Sequence, residues 1–172
     1  VQLMISLRQL GWECAITVIS DEDHQPYQRP PLSKAYLART VSADHMSLRS
    51  PAAYEKLVVN FMLSPRVTAL DAESKMLHLD NGETLSFDKL ALCTGARARP
   101  LTIPGTDLSA VHYLRTLDDV KGIQASASTA KTAVIIGGGY IGLETAASLS
   151  KLGVKVTVLE TESRLLKRVA SP

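Results

Sequence analysis

The chain has 172 residues, 45% hydrophobic and 21% charged, enough for one domain or parts of two in an ordinary core-forming protein. With 19 basic against 17 acidic side chains the formal charge is +2, which gives no electrostatic case for a nucleic-acid partner. The longest run without a charged side chain, residues 132–143, falls well short of the roughly 20 that a membrane-spanning helix needs, so no membrane span is expected.

The start of the chain lacks a basic region, an apolar block and a cleavage site, so no secretory signal is expected. Cys14 and Cys93 are too far apart for a CxxC pair and read as buried structural thiols of a reducing, cytoplasmic compartment. His24, His45, His78 and His112 show no ligand spacing, and no metal site is expected.

The opening "SLRQLG" at residues 6–11 matches "SLSKLG" at residues 148–153. Aligning the two lays Met4, Leu7 and Gly11 on Ala146, Leu149 and Gly153, one face of a helix in each case. The strand "AITVIS" follows and ends at Asp21, as the later copy ends at Glu160. The chain is therefore expected to start inside the first helix of a dinucleotide unit whose first strand and glycine loop lie upstream. Next, "SDEDHQPYQRPPLSKAYL" is stiffened by Pro26, Pro30 and Pro31, with Ser33 a candidate N-cap. Arg29 and Lys34 on it are held where they can reach an anionic ligand.

Short strands are predicted at residues 67–70, 76–79 and 84–87, the last two joined by an Asn-Gly hairpin turn. The turn-formers of "RPLTIPGTD" place a boundary near Leu108. Residues 111–130 are read as a connecting segment and a helix, with "ASAST" a polar turn before the next strand.

"TAVIIGGGYIGLETAASLSKLGVKVTVLE" reads as strand, glycine cluster, helix, strand. The helix carries Gly142, Ala146 and Leu149 on one face and is ended by Gly153. Gly137, Gly139 and Gly142 form G-x-G-x-x-G: the first permits a tight turn, the second close approach of a pyrophosphate, the third close packing of helix on strand. Phosphates would meet unpaired N–H groups at the helix N-terminus. Glu160, after the second strand, is placed to accept hydrogen bonds from ribose hydroxyls and to repel a 2′-phosphate, which favours NAD over NADP. Arg164, Lys167 and Arg168 follow closely and act in the opposite sense.

On "DE" at 21 and 22, "PYQRPPLSK" at 26–34, "KLALCTGARARPL" at 89–101, "YLRTLDD" at 113–119 and "VIIGGGYIGLE" at 134–144, the chain resembles the flavoprotein pyridine nucleotide oxidoreductases. The branch is that of the ferredoxin and rubredoxin reductases, which includes the apoptosis-inducing-factor-like proteins. The resemblance implies an α/β fold of two Rossmann-like dinucleotide-binding units of the glutathione-reductase type, the first lacking its N-terminal strand and glycine loop. Residues 1–108 would be a partial FAD-binding domain with a β-meander, and residues 109–172 a partial NAD(P)-binding domain. "KLALCTG" would return an apolar strand to the parallel sheet.

The same resemblance assigns the adenosine ribose of FAD to Asp21 or Glu22 and sets Arg29 and Lys34 along the flavin and its pyrophosphate. Thr94, Gly95 and Arg99 would lie beside FAD, and Gly137, Gly138, Gly139, Tyr140, Ile141, Gly142 and Glu160 would line NAD. Glu144 would stand near the nicotinamide, with Lys34 its catalytic companion. Cys93 and Ala98 depart from the alanine and proline common in the family. The implied activity is hydride transfer from NADH to FAD, then single electrons to a ferredoxin or rubredoxin-type iron-sulfur protein. The lack of a paired redox cysteine argues against disulfide-reducing relatives. The alternatives are an inactive gene fragment that binds at most a nucleotide, and an NADH oxidase of the same fold.

Overall fold

The computed structural model describes residues 1–167 and 169–171, so Arg168 lies outside the described residues. The chain divides into two compact units, the first formed by Val1–Tyr27 with Ser47–Gly95 and the second by Gln28–Met46 with Ala96–Pro172. This division differs from the one placed near Leu108. The proline-rich segment belongs to the same compact unit as the later half because its Leu32, Tyr36 and Leu37 are buried there, and residues 96–108, largely exposed, join it with the Leu101 N–H donating to the Tyr113 hydroxyl at 2.9 Å.

In the first unit, helix α1 (Gln2–Gln9) leads into strand β1 (Ile16–Ser20). Helix α2 (Pro51–Lys56) leads into β2 (Val59–Leu63), which pairs parallel with β1 from Ile16 against Val59 to Ser20 against Leu63. The sequence reading passed over α2 and β2, yet their start is marked: Ser50 accepts the N–H of Ala53 at 3.3 Å, and Pro51 takes the first helical position. Strands β3 (Val67–Asp71), β4 (Met76–Leu79) and β5 (Thr84–Ser86) form the expected antiparallel meander. Its tight turn needs Gly82, at φ +86°. Leu77 and Leu79 bury one face of β4, and Tyr54 and Met4 are buried beneath the helices.

Residues 89–95 form no strand. The apolar composition that led to that expectation is insufficient, because a strand exists only through ladder hydrogen bonds, and among the described residues this segment pairs with neither β1 nor β2. Leu92 is accordingly exposed. The same looseness corrects the reading of the thiols: Cys14, on the link from α1 to β1, and Cys93, on this extended segment, are both exposed.

In the second unit, helix α3 (Leu117–Ala127) opens with a capping box, Thr116 accepting from the Asp119 N–H at 3.2 Å and the Asp119 carboxylate accepting from the Thr116 N–H at 2.7 Å. Strand β6 (Thr132–Ile136), helix α4 (Tyr140–Lys151) and strand β7 (Lys155–Leu159) make the predicted strand-helix-strand unit, with β6 and β7 parallel. The core joins Leu117 and Val120 of α3 and Leu149 of α4 to Leu32, Tyr36, Leu37 and Met46 of the proline-rich segment. Each such aliphatic side chain contributes about 1.5–3 kcal/mol on burial.

The repeated "SLxxLG" is a helix stop. At the end of α1 the Gly11 N–H donates to Arg8 O at 3.2 Å and the Trp12 N–H to Leu7 O at 2.9 Å; after α4, Gly153 donates to Ser150 O at 3.0 Å and Val154 to Leu149 O at 3.1 Å. Both glycines are left-handed, at φ +81° and +86°, as this closure requires.

Candidate functional site: a glycine loop and a serine-lysine-glutamate cluster

Strand β6 runs out at Ile136 and the chain turns through Gly137, at φ +112°, into α4. Gly139 is the N-cap residue, and among the described residues no atom lies within 4 Å of where its side chain would project. That leaves an open approach to the helix N-terminus, where N–H groups lack intrahelical partners. Gly142 meets the opposite condition. A Cβ there would lie 2.0 Å from the Gly137 carbonyl oxygen and 3.4 Å from Ile135. The loop is therefore open where a pyrophosphate would approach and closed where helix crosses strand, as the G-x-G-x-x-G pattern demands. Tyr140 and Ile141 stand exposed at the helix start.

Glu160, directly after β7, reaches across this loop. One carboxylate oxygen accepts the Gly138 N–H at 2.6 Å and the other the Glu162 N–H at 2.9 Å. The N–H groups of Glu162 and Gly138 hold its carboxyl below the usual carboxylate range. Oε1 also accepts the exposed Thr161 hydroxyl at 3.3 Å, a long contact that a ribose hydroxyl can replace, and Oε2 keeps a further lone pair. Of the nearby cations, Lys167 is paired with Glu162 at 2.8 Å and Arg164 donates to the Ala170 carbonyl at 2.6 Å.

A second constellation lies where the proline-rich segment meets α4. Residues Pro30–Ser33 form one 3-10 turn, with Ser33 at its end, so Ser33 is not the N-cap that was expected. Successive prolines fix the turn before a helix can start at Ser33. Instead the buried Ser33 hydroxyl donates to Glu144 Oε2 at 2.6 Å, and Lys34 Nζ sits 2.9 Å from Glu144 Oε1. One turn along α4, the Ser148 hydroxyl donates to the Ser33 carbonyl at 2.7 Å. The Ser33 hydroxyl and the Lys34 ammonium hold the Glu144 carboxyl below its ordinary range, against a smaller opposing effect of burial. Lys34 and Glu144 were singled out from the sequence; Ser33 as an electrostatic partner and Ser148 were not. Arg29 donates to the Arg115 carbonyl at 2.8 Å, which ties the proline turn to the start of α3.

The other predicted residues fall into two groups. Asp21 and Glu22 follow β1 in the first unit, Asp21 in an exposed ion pair with Arg66 at 2.8 Å and Glu22 accepting from the Tyr27 hydroxyl. Thr94 and Gly95 belong to that unit too, Gly95 at φ +66°. Arg99 belongs to the second unit, with Arg29 and Lys34, and is exposed. Among the described residues no group of His, Cys, Asp or Glu could hold a metal ion, and no helix is long and apolar enough to cross a membrane.

Known proteins share this arrangement along the full length of the chain. Over 167 residues it is 40% identical to the probable ferredoxin reductase CtmF of Castellaniella defragrans, covering 97% of this chain and 41% of that protein. Over 175 residues it is 39% identical to the putidaredoxin reductase CamA of Pseudomonas putida, covering 100% of this chain and 42% of the relative. The reductase in the crystal structure of a covalent putidaredoxin reductase-putidaredoxin complex superposes with a TM-score of 0.91 at 38% identity, over 99% of this chain and 42% of that one. The chain thus spans about two fifths of the length of these relatives. The family model for pyridine nucleotide-disulphide oxidoreductases matches residues 1–172, and the chain belongs to that family.

Proposed function

We propose that the protein is an NADH-dependent, FAD-containing reductase that passes electrons to a ferredoxin- or rubredoxin-type iron-sulfur protein. The glycine loop of the second unit is the observation that carries this reading, because its open Gly139 and shut Gly142 fit a pyrophosphate and its Glu160 fits a ribose. In this reading the N-terminus of α4 takes the NADH pyrophosphate, Glu160 takes the adenosine ribose hydroxyls, and Tyr140 and Ile141 flank the dinucleotide. The carboxylate of Glu160, with Lys167 already neutralised by Glu162, favours NADH over NADPH.

For FAD, an acid at the end of β1 is the right chemistry for a ribose, and the exposed Asp21–Arg66 pair is weak enough to exchange for it. Arg29 and Lys34 bring positive charge toward the flavin, with Thr94, Gly95 and Arg99 the remaining contacts we assign. When bound, FAD supplies the conversion between two-electron and one-electron chemistry. The protein's own part is to orient Glu144 and Lys34 so that a carboxylate and an ammonium are fixed on one polar cluster at the reacting end of the nucleotide. Residues 1–108 would then serve FAD and residues 109–172 NADH. The compartment we infer is a reducing cytoplasm, in keeping with two free thiols.

In the test, NADH and the flavin-loaded full-length protein are combined anaerobically with a ferredoxin or a rubredoxin, and in a separate assay with air-saturated buffer. Fast reduction of either iron-sulfur protein with slow oxygen consumption supports the reading. Oxygen consumption as fast as acceptor reduction would replace it with an NADH oxidase.

A further inference from the structure

Of the buried polar groups in the second unit, Ser33 has no part in nucleotide binding as described above, yet its hydroxyl touches the carboxylate of Glu144. We propose that Ser33 is a positioning residue for hydride transfer: its hydroxyl fixes one oxygen of Glu144 so that the other is presented to Lys34. The inference rests on the functional reading above, in which Glu144 and Lys34 stand at the reacting end of NADH.

Three features support it. First, the Lys34–Glu144 pair cannot fix itself. The Lys34 side chain is 52% exposed and that of Glu144 28%, and ion pairs this open are weak and easily rearranged. Second, Ser33 is only 4% exposed and contacts the carboxylate at 2.6 Å, the short distance of a hydrogen bond to an ionised group. A buried donor has few rotamers, so it holds the carboxylate in one orientation where the mobile lysine cannot. Third, the main chain of Ser33 is itself held, because the Ser148 hydroxyl donates to its carbonyl at 2.7 Å. Glu144 and Ser148 are successive on one face of α4, so a single helix grips both the carbonyl and the hydroxyl of Ser33.

The charges around Glu144 leave this role to Ser33. Lys34 is the cation set against it from the proline-rich turn. From α3, which packs on the same turn, Asp118 pairs with Lys121 at 2.7 Å, and Asp119 accepts the N–H groups of Arg115 and Thr116. Lys155, the charged residue of β7, is exposed at the start of its strand. A neutral donor changes no charge, so its loss leaves Lys34 as the support of the ionised carboxylate among the described residues, and Glu144 takes up a proton at higher pH.

The experiment compares Ser33→Ala, Ser148→Ala and Glu144→Gln in the flavin-loaded full-length protein. Two quantities are read: the 13C-carboxyl titration of Glu144, assigned by its absence in Glu144→Gln, and the pH profile of anaerobic flavin bleaching by NADH. Ser33→Ala is expected to move the titration and the acid limb of the profile to higher pH together. Ser148→Ala loosens the hold on the Ser33 carbonyl without touching Glu144, and is expected to lower the unfolding temperature and to move both curves in the same direction by clearly less than Ser33→Ala does. An unmoved titration in Ser33→Ala overturns the proposal, and so does an equal shift in Ser148→Ala, which would mark the cluster as merely structural. A normal bleaching rate in Glu144→Gln would instead refute the functional reading, whatever Ser33 does.

Discussion

Substituting alanine at Gly142 or at Gly139 separates folding from binding within one loop. At Gly142 the new Cβ would lie 2.0 Å from the Gly137 carbonyl oxygen, a backbone atom that no side-chain rotation can relieve. Ordinary contact is about 3.5 Å, so α4 and the end of β6 must separate by more than an ångström. Such overpacking costs about 1–3 kcal/mol, and the better helix propensity of alanine recovers up to about 1 kcal/mol. A net loss of about 2 kcal/mol corresponds to a fall of roughly 4–8 °C in unfolding temperature for a protein of this size. At Gly139 the Cβ meets nothing within 4 Å among the described residues, and the backbone, at φ −81° and ψ −177°, suits any residue. Gly139→Ala should keep stability to within about 1 kcal/mol, the difference between glycine and alanine at an N-cap. It fills the approach to the helix N-terminus, however, and should weaken NADH binding by roughly tenfold or more. Thermal unfolding by circular dichroism and NADH titration by calorimetry read the two effects. A Gly142→Ala protein as stable as the parent, or a Gly139→Ala protein that binds NADH normally, would refute the assignment of roles.

The remaining predictions concern charge. Glu144→Gln should cost about 1 kcal/mol at pH 7, since it weakens one hydrogen bond to a charged group and one half-exposed ion pair. Glu144 and Glu160 both have depressed carboxyl pKa values in the folded state, so the stability they add is fully present above the unfolded glutamate value of about 4.3 and is lost as pH falls through the folded values. Chemical denaturation at a series of pH values should therefore show a smaller loss below about pH 4.3 in Glu144→Gln than in the parent. Arg8 donates to the carbonyls of Leu57, Cys14, Val58 and Trp12, tying the end of α1 to the turn before β2. Arg8→Ala should lower stability by about 1–2 kcal/mol in the same denaturation assay without altering NADH affinity. Replacing Glu160 by Ala and Glu162 by Gln together removes the repulsion of a 2′-phosphate and unmasks Lys167, and should shift the ratio of NADPH to NADH affinity by roughly tenfold or more toward NADPH.

Much of the second unit was legible because its constraints are local. A left-handed glycine after a helix and a glycine under a helix-strand crossing leave fixed marks in sequence, and Gly153 and Gly142 occupy those places, as Gly11 occupies the first of them in the first unit. The meander was legible from its Asn-Gly turn. The failures share a different cause. Residues 89–95 have the composition of a buried strand, but pairing depends on partners distant in the chain, and composition carries no record of them. The burial of Ser33 and Ser148 is equally silent, since serine is at home on surfaces and only the docking of the proline turn on α4 brings their hydroxyls inside. Lys34 and Glu144 were found through family likeness; their ion pair joins residues far apart in the chain, and no spacing rule announces it. Helix α2 and strand β2 are the exception: Ser50 and Pro51 gave a usable start signal that was passed over.

The most direct test of the account is the absorbance of the flavin-loaded full-length protein on rapid anaerobic mixing with NADH. The account predicts loss of the flavin band near 450 nm, roughly tenfold or more slower in Gly139→Ala at subsaturating NADH, because the pyrophosphate would lose its seat at α4. Absorbance that stays unchanged on adding NADH would contradict it.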